Sequence, residues 1–149
     1  MLPPLTRPDI NSRSVVIMGC GRVGTSIAVA LYERGHNLHV LDPDVAAFDR
    51  LPSRAIEEGH VVPIVGDGTL ESDLRKASTQ DADMFIAVSG KDSWNAMGAQ
   101  IAKHILLVPM VICRMNDPVR NEMYSQLGLV TVSATELVTD IILEATGAR

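Results

Sequence analysis

The stretch that decides the fold is Ser14-Val15-Val16-Ile17-Met18-Gly19-Cys20-Gly21-Arg22-Val23-Gly24, residues 14–24. Its first five residues form an apolar run that ends in glycine, which is typical of a buried strand. From Arg22 to Arg34 apolar residues recur at helical spacing, and Gly35 is a residue at which a helix can end. The sequence therefore predicts a strand, a glycine-rich turn and a helix in direct succession.

Three glycines in this turn have separate tasks. Gly19 permits a tight turn, Gly21 lets the backbone approach a pyrophosphate, and Gly24 lets the helix pack on the strand. The first amides of the helix and its dipole then face an anion. We predict that residues 19–24, including Cys20, Arg22 and Val23, bind the phosphates of a nucleotide. Arg22 is either a ligand of distal phosphates, a contact to a neighbouring subunit, or a solvated surface residue.

Strand-like and helical segments alternate along the rest of the chain. Further strands are predicted at 36–41, 61–65, 83–88, 109–113 and 129–132, and further helices at 44–51, 70–77, 92–104, 118–127 and 136–145. Expected helix caps are Asp44, Thr69 or Asp67, Asp92 or Ser93, Asp117, and Ser133 or Thr135. The alternation predicts an α/β fold, a doubly wound six-stranded mostly parallel sheet of the Rossmann-like type.

Composition and length support one nucleotide-binding domain, residues 14–145. The 149 residues are 46% hydrophobic but only 3% aromatic, as expected for an aliphatic core of buried parallel strands. We expect a flexible N-terminal tail at 1–13, a short tail at 146–149 and no C-terminal effector domain. A net charge of −5 argues against nucleic acid as a partner. Two cysteines and the lack of an eighteen-residue apolar run predict reduced thiols and a cytoplasmic chain.

An acidic residue ends the second predicted strand, about twenty residues after the glycine turn. Asp42 can accept hydrogen bonds from a ribose hydroxyl, and it would repel a 2′-phosphate. Pro43 then ends the strand, since it cannot continue a central one. The alternative is that Gly19, Gly21 and Gly24 only make a turn and that Asp42 only starts one. The pattern indicates an adenosine nucleotide, NAD(H), ATP, ADP or AMP, and argues against NADP.

The other strand ends should meet the glycine turn, because ligands of such sheets bind outside the carboxyl ends of the strands. Asp67 could accept from an adenine amino group, Gly68 would leave room for the ring, and Arg114 could add positive charge near the phosphates. The complete set of expected contacts at these ends is Asp67, Gly68, Thr69, Val88, Ser89, Gly90 and Arg114. Each could equally have only a structural role.

Candidate catalytic residues are few. The four histidines, His36, His39, His60 and His104, have no metal-ligand spacing. Cys20 is either a reactive thiol near a helix N-terminus or simply a small residue. Trp94 packs in the fold or lies beside the nucleotide. We therefore expect a binding protein that is not an enzyme and holds no metal.

Taken together, these residues resemble a known family. The chain looks like the N-terminal domain of the regulators of potassium conductance, the regulatory subunits of Trk and Ktr potassium uptake. The matching segments are 16–24, 41–42, 66–69, 87–88 with Asp92 and Asn95, Arg114, 128–130 and 136–138. The chain departs from the family pattern at Ser89-Gly90-Lys91.

The resemblance implies a cytoplasmic homodimer or higher ring, peripheral to the inner membrane through a potassium channel or transporter subunit. In that case Gly21 and Gly24 bear the phosphates, Asp42 holds the ribose, and Asp67 with Thr69 lies by the adenine. Arg22 and Arg114 would contact distal phosphates, and Asn95 would belong to the binding site. The last helix, which begins near Glu136, would cross to a partner.

Three hypotheses follow from the sequence. The first is a regulatory nucleotide-binding module for potassium transport, which needs different affinities for two nucleotides because equal affinity shifts no equilibrium. The second is an NAD-dependent oxidoreductase or a fragment of one. The third is a stand-alone AMP-type sensor for another transporter.

Overall fold

A computed structural model describes residues 12–148. The predicted N-terminal tail therefore lies outside the described residues except for Ser12 and Arg13, as does the last residue of the predicted C-terminal tail. Within this range no helix is long and apolar enough to cross a membrane.

Six strands form one sheet in which every neighbouring pair is parallel. The strands are β1 (Ser14–Met18), β2 (Asn37–Asp42), β3 (Val61–Val65), β4 (Met84–Ala87), β5 (Met110–Arg114) and β6 (Val130–Val132). Their order across the sheet is β3-β2-β1-β4-β5-β6. The predicted fold class is therefore confirmed. Because the chain turns outward in opposite directions from β1 and β4, a crevice opens at their carboxyl ends.

Six α-helices connect and cover the strands. They are α1 (Arg22–Glu33), α2 (Ser53–Glu57), α3 (Glu71–Lys76), α4 (Asp92–Gln100), α5 (Pro118–Gln126) and α6 (Ala134–Ala145). A wider π-helical turn, Ile101–Ile105, extends α4 close to its predicted end. The single helix predicted over 44–51 is instead a 3-10 helix, Val45–Arg50, followed by α2. Pro52 separates the two because proline lacks the amide that a continuous helix needs.

Three of the predicted helix caps are observed. The Asp44 carboxylate accepts from the amide of Ala46, Asp117 accepts from Val119 and Arg120, and the Ser133 hydroxyl accepts from Glu136. The cap predicted for α3 at Thr69 or Asp67 is wrong, since that helix follows Leu70 and has no side-chain cap. The Asp67 carboxylate is already bonded to Thr69, 2.6 Å from its hydroxyl oxygen, within the preceding turn.

The core has two layers, one on each face of the sheet. Successive β1 residues point to opposite faces, so Val16 and Met18 join one cluster and Val15 and Ile17 the other. Phe85 is the largest fully buried side chain, and nearly all others are aliphatic. A rigid aliphatic sheet of this kind fixes the positions of its strand ends, where the site lies.

Candidate nucleotide-binding site

A cleft of about 680 Å³ opens at the carboxyl ends of β1 to β5. Twelve of the residues expected at a nucleotide site line it: Gly19, Gly21, Arg22, Val23, Asp42, Pro43, Asp67, Gly68, Val88, Ser89, Gly90 and Arg114. Its volume lies in the range usual for small-molecule sites. The fold thus brings together segments that are up to about ninety residues apart in the sequence.

The glycine turn after β1 is shaped by three different constraints. Gly19 has φ +109°, and a Cβ atom there would lie 2.8 Å from the amide nitrogen of Ser89. A Cβ atom on Gly24 would overlap the carbonyl oxygen of Gly19. A Cβ atom on Gly21 would meet nothing within 4 Å, because that position faces open space. Gly19 and Gly24 therefore close the turn, and Gly21 leaves its outer surface accessible.

The N-terminus of α1 is available to an anion. Gly21 is the N-cap residue and offers no side-chain acceptor, and the first turn contains no acidic residue. Its free amides and the positive end of the helix dipole both favour a negatively charged group. Arg22 and Val23 are exposed at the same end of the helix. The arrangement can bind a phosphate through backbone amides.

Asp42 joins the glycine turn to the end of β2. One carboxylate oxygen accepts from the amide of Cys20 at 2.8 Å, and the other accepts from Asp44 at 2.8 Å. Each oxygen retains a second lone pair, because a carboxylate can accept about four hydrogen bonds. The two backbone bonds hold the carboxylate at the cleft wall, where it can accept from hydroxyl groups.

The turn after β3 is satisfied internally. The Asp73 carboxylate accepts from the amide of Asp67 at 2.8 Å, which lowers the pKa of Asp73, and the Asp67 carboxylate accepts from Thr69. Gly68 is buried against Met18, so that a Cβ atom would lie 2.6 Å from the Met18 sulfur. This side of the cleft is therefore narrow, acidic and apolar at its floor.

Asn95 connects two other walls from behind. Its side chain is completely buried, accepts from both the amide and the hydroxyl of Ser89, and donates to the carbonyl oxygens of Ser89 and Arg114. The Arg114 side chain reaches the cleft, and its buried Nε has no hydrogen-bond partner among the described residues.

Four of the predicted site residues do not line the cleft. Gly24 lies beneath the turn, Thr69 is bonded to Asp67, and Asn95 is buried behind Ser89. Cys20 points inward, where it is 1% exposed, and burial raises the pKa of its thiol. The reactive-thiol interpretation of Cys20 is therefore wrong, since its thiolate is disfavoured and the sulfur is inaccessible.

Four lining residues were not among the predicted contacts. Met18, Leu41 and Gly66 flank the predicted strand ends, and their location at those ends was the available signal. Trp94 lies at the rim with 44% of its surface exposed, and the Lys91 ammonium lies 4.2 Å from its ring centroid. Of the two positions expected for Trp94, packed in the fold or beside the nucleotide, the structure shows the one beside the cleft.

The cleft offers charged side chains and backbone amides to a ligand. Its titratable lining residues are two acids, Asp42 and Asp67, and two arginines, Arg22 and Arg114. Residues 12–148 contain no group of three histidine, cysteine or acidic side chains that could hold a metal ion. The cleft can therefore hold anionic and hydroxyl groups through paired charges and backbone amides.

Comparison with known proteins identifies close sequence relatives. The chain is 38% identical over 129 residues to the Trk system potassium uptake protein TrkA of Streptomyces coelicolor, covering 87% of this chain and 56% of that protein. It is 32% identical over 115 residues to a TrkA homolog of Pyrococcus abyssi, covering 76% of this chain and 48% of that protein. The chain thus spans about half the length of the curated relatives it matches.

Solved structures share the fold at lower identity. The TrkA-N domain of the inner membrane protein ybaL from Escherichia coli has a TM-score of 0.77 at 18% identity, over 91% of this chain and 97% of that one. The AMP-bound Kef CTD of Shewanella denitrificans has a TM-score of 0.71 at 20% identity, over 91% and 80%. The GsuK channel bound to NAD has a TM-score of 0.64 at 20% identity, over 85% and 22%.

A family model matches most of the chain. The model described as the TrkA-N domain matches residues 15–135, from the first strand to the start of α6. This range includes the glycine turn, the end of β2 and every residue that lines the cleft. The chain therefore belongs to the TrkA-N domain family.

Proposed function

We propose that this chain is a regulatory module of potassium transport that binds an adenosine nucleotide in the cleft at the carboxyl ends of β1 to β5. One observation carries the proposal: the uncapped N-terminus of α1 and the carboxylate of Asp42 line the same cleft. A phosphate acceptor and a ribose acceptor at one site are the two elements that recognise a nucleotide.

Each part of the nucleotide has a matching region in the proposed complex. The phosphates bind the amides at Gly21 and the first turn of α1, with Arg22 and Arg114 as charged partners. The ribose hydroxyls donate to Asp42. The adenine lies toward Gly68, where Asp67 accepts from its amino group. The internal bonds of the Asp67 turn keep that carboxylate in place.

NADP is disfavoured in this arrangement. Its 2′-phosphate would meet the carboxylate of Asp42, which is already held by two backbone amides and cannot easily turn away. Two anionic groups in contact repel, and the repulsion is greater in a partly buried site. The ligand is therefore NAD(H), ATP, ADP or AMP.

Regulation is favoured over catalysis by the content of the cleft and by the relatives. Apart from two acids and two arginines, the lining offers no titratable side chain among the described residues, and the histidines lie elsewhere. The relatives carry the names of potassium uptake proteins, and the structural neighbours include a Kef domain bound to AMP and GsuK bound to NAD or to ADP. A membrane potassium channel or transporter is the proposed partner, which puts the module on the cytoplasmic side.

We further propose that the chain forms a homodimer through α6. An almost entirely apolar groove of about 430 Å³ lies between α1, α6 and strands β4 to β6, with Arg114 as its one charged lining residue. Helix α6 has no buried residue, and it exposes 55–63% of Val138, Ile141 and Ile142. Sedimentation equilibrium tests this, with a concentration-dependent dimer as the expected result.

A thermal-shift panel tests the nucleotide site. NAD, NADH, ATP, ADP, AMP and NADP are each added in excess, and at least one adenosine nucleotide is expected to raise the Tm while NADP has little effect. At 100 times its Kd a ligand stabilises the folded state by about 2.7 kcal/mol. The absence of any shift across the panel would refute the proposed function.

The Asp42→Asn variant should be compared with the native chain in the same nucleotide panel. The single amide oxygen can still accept from Cys20, but the bond from the Asp44 amide and the charged acceptor for the ribose are both lost. We expect nucleotide affinity to fall about tenfold, the value of one charged hydrogen bond, and the disadvantage of NADP relative to NAD to shrink. Unchanged affinity for every nucleotide would remove Asp42 from the site.

A further inference from the structure

The Asn95 side chain does not line the cleft, but it is hydrogen-bonded to two residues that do, Ser89 and Arg114. It is 0% exposed, and all its hydrogen-bonding groups are used on residues that line the cleft. Its side-chain oxygen accepts from the Ser89 amide at 2.8 Å and from the Ser89 hydroxyl at 2.6 Å. Its NH₂ group donates to the carbonyl oxygen of Ser89 at 3.0 Å and of Arg114 at 3.1 Å.

These four bonds join the end of β4 to the end of β5. Ser89 lies two residues beyond β4, and Arg114 is the last residue of β5, where it is still paired with Val132 of β6. Asp92, on the first turn of the same helix, accepts from the amides of Asn116 and Asp117 beyond β5. Helix α4 therefore fixes both strand ends through its first turn. The Arg114 carbonyl oxygen also accepts a longer bond from the Cys113 thiol at 3.7 Å, and Asn95 provides the shorter of the two side-chain bonds.

Arg114 depends on this support because its own side chain is not anchored by a partner. Its Nε is buried and makes no hydrogen bond among the described residues, and no ion pair of Arg114 is observed there. The backbone position of Arg114 thus decides where its guanidinium enters the cleft. A buried polar atom without a partner is costly, which favours a ligand that supplies an acceptor.

We propose that Asn95 is a positioning residue that sets the reach of Arg114 toward the distal phosphate of the nucleotide. The inference rests on the proposed function, because it requires a nucleotide in the cleft. Asn95 would then affect ligands that extend to Arg114, such as ADP, ATP and NAD, and leave AMP nearly unaffected. A purely structural role would change the affinity of all of them alike.

The test compares the dissociation constants of ADP and AMP by calorimetry in the full chain. For Asn95→Ala we expect the affinity for ADP to fall about tenfold, equivalent to one charged hydrogen bond, and the affinity for AMP to change less than about twofold. Asn95→Asp keeps an acceptor for Ser89 but loses the donor to Arg114. It should therefore show the same loss of ADP selectivity.

Asn121→Ala is the matched control. The Asn121 amide also connects two segments, donating to the carbonyl oxygen of Met115 and accepting from the Thr131 hydroxyl, but it does not line the cleft. Its removal should lower the Tm and leave the ratio of ADP to AMP affinity unchanged.

A double-mutant cycle with Arg114→Gln separates a positioning role from a direct one. If Asn95 acts through Arg114, Asn95→Ala will not lower the ratio of ADP to AMP affinity further in a chain that already lacks the guanidinium. Should the Asn95 variants fail to fold, the side-chain NH₂ signals of Asn95 in the native chain provide the measurement by NMR. They should shift with ADP and much less with AMP.

The possible results distinguish the two proposals. Equal losses for ADP and AMP, an undiminished Asn95 effect in the Arg114→Gln background, or equal NMR shifts with both nucleotides would overturn the positioning role. In each of these cases the native chain still binds nucleotide, so the proposed function stands. A native chain that binds neither nucleotide would instead refute the proposed function itself.

Discussion

The two glycine-containing turns of the cleft, residues 19–24 after β1 and residues 66–69 after β3, have opposite electrostatic character. The first turn leads into α1, a twelve-residue helix without a cap or an acidic first turn. The second leads into α3, a six-residue helix whose first turn contains Glu71 and Asp73. In the second turn, carboxylates already accept from the backbone amides of Asp67 and Thr69.

This difference indicates in which orientation a nucleotide would lie in the cleft. Free amides at a long helix attract an anion, whereas a turn whose amides are used and whose acids are exposed repels one. The phosphates of a nucleotide therefore belong at the first turn, and the second turn suits a neutral ring with an amino group. The two glycine-containing turns thus differ in the ligand they suit because of their charged residues and of what surrounds their amides.

Gly24→Ala should have the largest effect on the first turn. An added methyl would overlap the carbonyl oxygen of Gly19 in the backbone itself, which cannot rotate aside. We expect a loss of about 3 kcal/mol in the free energy of unfolding, near the upper range for overpacking, and a Tm lower by about 10 °C. Thermal and urea unfolding measure both. A Tm equal to that of the native chain would contradict the proposed packing of α1 on β1.

Gly21→Ala should separate binding from folding at the same turn. The added methyl meets nothing within 4 Å in the unliganded cleft, and Gly21 does not have positive φ. We expect the Tm to change by less than about 2 °C, while nucleotide affinity falls about tenfold because phosphate can no longer approach the amides. Full retention of affinity would show that the phosphates do not contact Gly21. The two glycine variants serve as controls for each other.

Asp73→Asn should have the smallest effect, on the second turn. The backbone bond from Asp67 holds the pKa of the Asp73 carboxylate below its ordinary value of about 3.9. Stability from this bond is present above that value and is lost as the pH falls through the lower folded pKa. The Tm difference between native chain and variant should thus narrow from pH 5 to pH 3. A constant difference would contradict this contribution.

Much of the fold followed from the sequence because its signals are local. The apolar run 14–18, the spacing after Arg22 and the caps at Asp44, Asp117 and Ser133 depend only on neighbours in the chain. The helix predicted at 44–51 ends before Pro52, as observed, but the sequence did not indicate that this segment is a 3-10 helix or that α2 follows it. The α3 cap failed because Asp67 has a competing partner within its own turn.

The candidate site was likewise predictable only in part from the sequence. Twelve of the expected residues line the cleft, because strand ends in a parallel sheet meet at one edge whatever their separation in the sequence. Cys20, in the glycine turn, and Asn95, in α4, occupy the expected segments but point inward, and the sequence did not indicate the direction of either side chain. Trp94 could be placed at the rim only once α4 was oriented.

The sequence by itself determined an aliphatic parallel sheet, the position of the glycine turn and the acid at the end of β2, since each depends on residue type and spacing. Only the tertiary structure decided which amides are free, which carboxylates are already bonded and which side chains reach the cleft. Those properties depend on contacts such as Asn95 with Arg114 or Asp73 with Asp67. Such contacts exist only when separate segments have been brought together, and they distinguish a ligand-binding turn from a structural one.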